Sequence, residues 1–313
     1  MNKNELIRKY GDIPWISPYE RIVAMTDGKY IELHEFHARN RCSGGAAWEV
    51  YHYPRVSNLV LRARREGSRN IFVVRTGKAE LNLIPGVAGA GMEMAEINED
   101  NIEITYAGLA GGGIAATVCR GMAEGVRGIE IIQEGGGGKL GKAKLVVPAM
   151  KKVVIGVDDT DTKESGATWS LVNEIAYGLE KDGLGIYLLH TITQLYLENP
   201  HKTTNCVSIS VTFATRNVDA LVDEFARTLE EKTLSEDTAM AVSTSIEVSR
   251  EIKDFGLRAK KELLEVEEAR DVADRNNIEL IVVTGERGII GALAAVAFSD
   301  SPDDAVRIPA GFL

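Results

Sequence analysis

The spacing of apolar and polar positions changes several times along the chain, and each change predicts an element. In the first half, KYIELHEFH (Lys29–His37) reads as a strand. A helix is predicted from about Ala46 to Arg65, AAWEVYHYPRVSNLVLRARR, kinked or split at Pro54. NIFVVRT (Asn70–Thr76) is a strand, and NIEITYAG (Asn101–Gly108) alternates apolar and polar residues as a half-buried strand does. GIAATVCRGMAEG, from Gly113, is predicted helical, and GIEIIQE (Gly128–Glu134) is again a strand. Between the two halves of this pattern, GKAELNLIPGVAGAGMEMAEINED reads as a loop or partial strand. The resulting order, β-α-β-β-α-β, predicts a ferredoxin-like unit over residues 1–150.

The pattern changes near Lys151. KVVIGVD is almost continuously apolar, as a strand covered on both faces would be. Leu171, Ile175 and Leu179 then recur every four residues, with Val172 and Ala176 beside them, which predicts an amphipathic helix. Asp182-Gly183 turns the chain into LGIYLLHTITQLYL, followed by a strand CVSISVTF (Cys206–Phe213) and a helix VDALVDEFARTLEE. Helical segments between Ser249 and Arg275, a strand ELIVVT and a small-residue helix GIIGALAAVAF complete an α+β domain with a mixed central sheet over 151–313.

A chain of 313 residues suits two domains. No apolar run is long enough to cross a membrane, and the start, MNKNELIRKYGDIPW, has no signal-peptide centre, so a cytoplasmic protein is expected. Cys42, Cys119 and Cys206 are scattered, which disfavours a disulfide framework or a zinc site. The net charge of −10 removes the broad positive field behind most nonspecific nucleic-acid affinity, so tRNA is disfavoured as a partner.

Four stretches could carry chemistry. GGGKLGK (Gly136–Lys142) has phosphate-loop spacing, but Ala143 offers no hydroxyl to a metal and AKLVVP continues as a strand, so a flexible connection is the better reading. In VVIGVDDTDTKESGATW, Asp158, Asp159 and Asp161 crowd together where an apolar strand ends, at the sheet edge that often holds ligands. A magnesium ion shared with substrate phosphates would relieve their repulsion; a solvated, helix-capping turn is the competing reading. ENPHKTTN offers Lys202, Thr203, Thr204 and Asn205 as a phosphate grip, against a plain polar loop. In VTGERGIIGALAA, Gly285, Arg287 and Gly288 precede a helix and suit an anion, against close packing of small residues. His34 and His37 fall on opposite faces of their strand, so with His52 they read as packed or surface residues. Cys206 reads as a buried strand cysteine.

Taken in order, IGVDDTD, Thr168, NPHKTTN and GERGIIGALAA resemble the kinase-like catalytic domain of archaeal tRNA(Ile) agmatinylcytidine synthetase, from about Lys151 onward. Over nearly its full length the chain resembles the methanogenesis marker protein 11 family, through YAGL, GGGKLGKA, IGVDDTDTKE, GATWSLVNEIAY, KTTNCVS and VTGERG. The synthetase resemblance implies an ATP and magnesium site at Asp158, Asp159 and Asp161, the three metal-binding candidates, with Thr168 matching an autophosphorylated threonine. Thr160, Thr203, Asn205, Gly285, Arg287 and Gly288 join as nucleotide contacts, and Lys202 as a catalytic cation. The chain departs from the synthetase in its Gly166-Ala-Thr-Trp169 stretch, in lacking a glycine before Asn205, and in having no zinc ribbon. The first expectation is therefore Mg-ATP-dependent phosphoryl transfer to an unknown acceptor. The alternative is a nucleotide-dependent assembly or maturation factor for a methanogenesis enzyme such as methyl-coenzyme M reductase. tRNA modification ranks third.

Overall fold

The structure, a computed structural model, describes residues 1–87 and 89–309. The chain divides into two compact units, Met1–Met150 and Lys151–Leu313.

The first unit opens with helix α1 (Lys3–Tyr10) and a hairpin of β1 (Arg21–Thr26) and β2 (Tyr30–Phe36). Helix α2 (Ser43–Val56) contains Pro54 in its last turn, which loses the N–H bond back to Val50, and it ends where Ser57 turns extended (φ −125°, ψ 117°). The residues expected to prolong it instead form β3 (Val60–Glu66), which pairs antiparallel with β4 (Arg69–Arg75). After β5 (Gly77–Lys78), β6 (Ala90–Asn98) forms a hairpin with β7 (Asn101–Leu109). A short α3 (Ala110–Ile114) passes into a π-helical turn at Ala115–Cys119, then come β8 (Gly128–Gln133) and β9 (Leu140–Asp158). Strand order is β3-β4-β2-β1-β9-β7-β6-β5, with β8 also on β9, and β1 runs parallel to β9 at Ala24 and Met25.

The ferredoxin-like order is therefore not confirmed. β1, β3, β5 and β6 are additional strands, and the stretch read as a loop or partial strand carries β5 and β6, with residue 88 outside the described residues. GLAGGG and GGGKLGK pack on one another: a Cβ at Gly113 would sit 2.8 Å from Gly141 N, and one at Gly141 2.4 Å from Gly113 O. Close packing thus accounts for Gly108, Gly113 and Gly141 without a phosphate, and Leu140 onward is strand, as the reading of GGGKLGK required.

A buried ion cluster crosses this unit's core. Arg120, fully buried, donates to Glu35 through Nε (3.2 Å) and Nη2 (2.9 Å), and Nη2 also donates to Glu49 Oε1 at 2.9 Å. Tyr19 donates to Glu49 and Tyr106 to Glu35, while the guanidinium lies over the Tyr19 and Tyr106 rings. Buried charges persist only when paired and hydrogen-bonded to this extent.

The second unit is built on the last part of β9, residues 151–158. Beside it lie β11 (Val207–Thr215) and β12 (Ala239–Ser243), both antiparallel, with β10 (Ile186–Gln194) outside β11 and β13 (Glu279–Val282) outside β12. Alternation sorts its apolar residues. Val153, Ile155 and Val157 pack with α4 (Thr168–Lys181) and α5 (Val218–Lys232). Val154 shares the other layer with α6 (Arg250–Ala259), α7 (Val266–Arg275) and α8 (Gly288–Ala297). The expected cover on both faces is present. A last turn, α9 (Pro302–Ala305), completes the unit. The protein is thus α+β with mixed strand pairing, the parallel pair being β1 with β9. Among the described residues, no helix is long and apolar enough to cross a membrane.

Candidate functional site

Strand β9 ends at Asp158, and the chain must leave the sheet at once. It does so through Asp159, which adopts φ 57°, a left-handed conformation that costs a non-glycine residue about 1–2 kcal/mol. Neighbours hold it there. Thr238 Oγ1 donates to Asp159 O, and Leu234 N donates to Thr160 O at 3.0 Å. Backbone strain maintained by surrounding contacts is common at functional sites.

The carboxylate of Asp158 points at the first turn of α8. A Cβ on Gly291 would lie 1.7 Å from its Oδ2, so only glycine leaves room for it. Burial, then the charge of Asp159, push the Asp158 carboxyl well above the usual range; a backbone hydrogen bond at Asp159 opposes this. Asp159 is raised too, by burial first, with Arg287 pulling against it. Arg287 stands at the N-cap of α8, where the helix dipole disfavours a cation. Its partners account for its place: Nε donates to Asp159 Oδ2 at 3.3 Å and Nη2 pairs with Asp237 Oδ2 at 2.7 Å.

These groups border a cavity of about 520 Å³ lying wholly within the second unit. Asp158, Asp159, Asp161, Thr168, Lys202, Thr203, Asn205 and Arg287 all line it. Thr203 donates to Asp161 Oδ1 at 3.3 Å, joining the KTTN loop to the aspartate loop, and Lys202 donates to Leu197 O. Thr168, the first residue of α4, is buried and accepts from Thr160 Oγ1 at 3.0 Å. Cys206 also lines the cavity, its thiol pushed up to about 11 by burial, then by Asp158, which keeps it from being a ready nucleophile.

Three expected contacts lie elsewhere. Thr160 reaches the site only through Thr168. A Cβ at Gly285 would stand 2.2 Å from Glu236 O, and one at Gly288 2.7 Å from Asp237 O, so both glycines serve close backbone packing. Among the described residues, no group of three or more His, Cys, Asp or Glu is arranged to hold a metal ion. Sequence reasoning missed Asp237, the second partner of Arg287, and Trp169, which lines the cavity with half its surface exposed. It also missed the wall at residues 262–266. Asp237 lies in a loop with no pattern to mark it.

Comparison with known proteins gives this site a context. The chain is 47% identical over 284 residues to the uncharacterized protein MJ0921 of Methanocaldococcus jannaschii, covering 90% of this chain and 94% of that one. The chain belongs to the MJ0921 family. Residues 154–219 match the family described as the TiaS TCKD domain. The chain is also 28% identical over 159 residues to TiaS of Thermococcus sibiricus, a 2-agmatinylcytidine synthetase of an isoleucine tRNA, the match covering 47% of this chain and 35% of the synthetase. Among solved structures it is similar to the complex of TiaS with its isoleucine tRNA and ATP (27% identity, TM-score 0.44, 47% of this chain, 36% of that chain). It is likewise similar to apo TiaS (26% identity, TM-score 0.42, 47% of this chain, 35% of that chain). The chain thus spans about a third of the synthetases it matches.

Two expectations are corrected by these similarities. Phosphoryl transfer to an unknown acceptor stood first, with the assembly factor as its alternative, and tRNA was disfavoured as a partner. TiaS, whose TCKD domain matches residues 154–219, is a tRNA-modifying synthetase, so the ranking that put phosphoryl transfer first and disfavoured tRNA does not stand. The error came from weighing the lack of a zinc ribbon together with a whole-chain charge, which sums over the surface and is blind to local basic patches.

Proposed function

We propose that this MJ0921-family protein is an ATP-dependent tRNA-modifying enzyme whose nucleotide site is the cavity of the second unit. One observation carries the reading: the stretch matching the TiaS TCKD domain includes both the aspartate loop and the KTTN loop, and so builds most of that cavity's wall. A kinship of the chain with methanogenesis marker protein 11 is part of the same proposal, supported by its methanogen relative.

Lys202 and Arg287 are the cations for phosphate oxygens, with Thr203 and Asn205 as hydrogen-bonding partners. Arg287 exchanges its hold on Asp159 and Asp237 for the anion. Magnesium fits the donor set, since it takes oxygen ligands and commonly shares one or two carboxylates with phosphates. Asp158 and Asp161 are the carboxylates for it, and a cation there would relieve the crowding that raises Asp158. When bound, ATP supplies activation of an otherwise inert position on the RNA. The protein's own part is to position and neutralise charge. Thr168 stays a structural hydroxyl on Thr160 unless α4 shifts at its first turn.

The test is nucleoside mass spectrometry on tRNA from cells with and without the gene. One modified nucleoside should disappear with the gene and return with the wild-type protein, but not with Asp158→Asn. Identical nucleoside profiles in all strains would overturn the reading.

A further inference from the structure

Residues 55–78, RVSNLVLRARREGSRNIFVVRTGK, hold six arginines and one lysine against one glutamate, a local charge of +6 within a chain of −10. Glu66 ties down Arg64 and Arg69, but Arg55, Arg65, Arg75 and Lys78 are exposed. The stretch includes β3, the terminal strand of the first unit's order, whose outer edge carries arginines to both faces: Arg64 registers with Ile71 and Arg65 with Asn70.

Helix α2, packed beside β3, adds a second observation. Its inner face buries Ala46, Glu49 and Tyr53. Trp48, Tyr51, His52 and Arg55 follow at i, i+3, i+4 and i+7 and share the outer face. Trp48 is 38% and Tyr51 56% exposed. Trp48 and His52 have ring centroids 4.2 Å apart, and the Arg55 guanidinium lies 3.6 Å from the Tyr51 centroid. An amphipathic helix would place polar residues here. Exposed rings, one of them under the Arg55 guanidinium, on a helix packed against an arginine-rich edge strand are what a flexible polyanion with stackable planar groups requires.

We propose that the outer face of α2 and the edge of β3 form an RNA-binding surface, with Trp48 and Tyr51 stacking on unpaired bases and Arg55 and Arg65 holding phosphates. The proposal rests on the tRNA-modification reading for the identity of its polymer, and concerns a different unit from the nucleotide cavity. Phosphate contacts position RNA without regard to sequence, while stacking selects regions whose bases are free.

The test measures fluorescence anisotropy of labelled unmodified tRNA and of a single-stranded RNA between about 50 and 200 mM salt. Arg55→Ser with Arg65→Ser should weaken binding and make the salt slope less steep by about 1.4–1.8, for two phosphates at 0.7–0.9 each. Trp48→Ala with Tyr51→Ala should weaken binding by at least about tenfold and leave the slope unchanged. Trp48→Phe with Tyr51→Phe should recover most of the loss, which mere damage to the fold would not allow. ATP affinity should be the same in all variants. If wild-type protein binds RNA and the arginine pair binds equally well with an unchanged slope, this surface is wrong and the tRNA reading stands. If wild-type protein binds no RNA, both fail. Capture by anionic phospholipid vesicles in place of RNA overturns the proposal as well.

Discussion

Glu49 shows how one side chain can set the acid limit of a unit. Burial pushes its carboxyl up, but Arg120, with help from His37 and Tyr19, more than reverses this and holds it lowered to about 2. The unfolded value is 4.5, so the folded state binds the proton less readily. Stability from Glu49 is therefore complete above pH 4.5 and drains away as pH falls toward 2. The loss is on the order of 3 kcal/mol. Glu49→Gln leaves Arg120 with one carboxylate and should cost about 3–5 kcal/mol at neutral pH. Urea unfolding of both proteins checks this: their difference should shrink as the acid range is entered. A difference that stays constant down to pH 2 would assign the effect to packing instead. Asp158 presents the opposite arrangement, a carboxylate raised by its surroundings, which suits a site awaiting a counter-charge more than a structural ion pair.

At the level of elements, what the sequence disclosed depended on whether a periodicity faced competition. β9, α4, β11, α5 and α8 were legible because an unbroken apolar run or a 3.6-residue stripe had nothing to contradict it. β3 was read as helix since arginine and leucine favour that state, and only Pro54 and pairing with β4 decided otherwise. β12, AMAVS, and β6, AGMEMAEIN, were missed because small residues give too weak a contrast to show alternation. The site divided in the same manner. Asp158, Asp161, Thr203 and Asn205 stood in short local motifs, whereas Asp237 meets Arg287 only through the packing of α8 on the sheet. The glycines needed tertiary structure to interpret. A Cβ at Gly156 would come within 2.0 Å of Ala292 O, so β9 and α8 touch backbone to backbone there. Gly156→Ala should thus destabilise by about 1–3 kcal/mol as the helix is forced outward. Gly178, inside α4 with nothing within 4 Å of an added Cβ, should behave oppositely. Gly178→Ala should stabilise by roughly 0.5–1 kcal/mol, since alanine loses less backbone freedom in a helix. Melting temperatures of the two variants decide the matter, and equal shifts in one direction would contradict it.

At the scale of the whole molecule, the cavity proposed for the nucleotide takes its wall from Asp158 through Gly291, nearly the full run of the second unit. A ligand seated there should stabilise that unit cooperatively, because loops from both ends of its sequence must be in place together. At 100 times its dissociation constant, ATP should add about 2.7 kcal/mol. That should appear as a rise of several degrees in the second unit's transition, larger with magnesium than without. If calorimetry resolves a separate transition for the first unit, that transition should not move. Arg287 then separates two roles. As a phosphate contact, Arg287→Gln weakens ATP by about 1.5–3 kcal/mol and removes most of the thermal shift. Its effect on the free protein should be small, since the side chain is 40% exposed and its ion pairs are screened. As a clamp for the strained Asp159 turn, the order reverses: Arg287→Gln lowers the melting temperature of the free protein, and the ATP-induced rise survives intact. The exposure of the guanidinium and its place on the cavity wall favour the first outcome, because a clamp alone would gain by being buried.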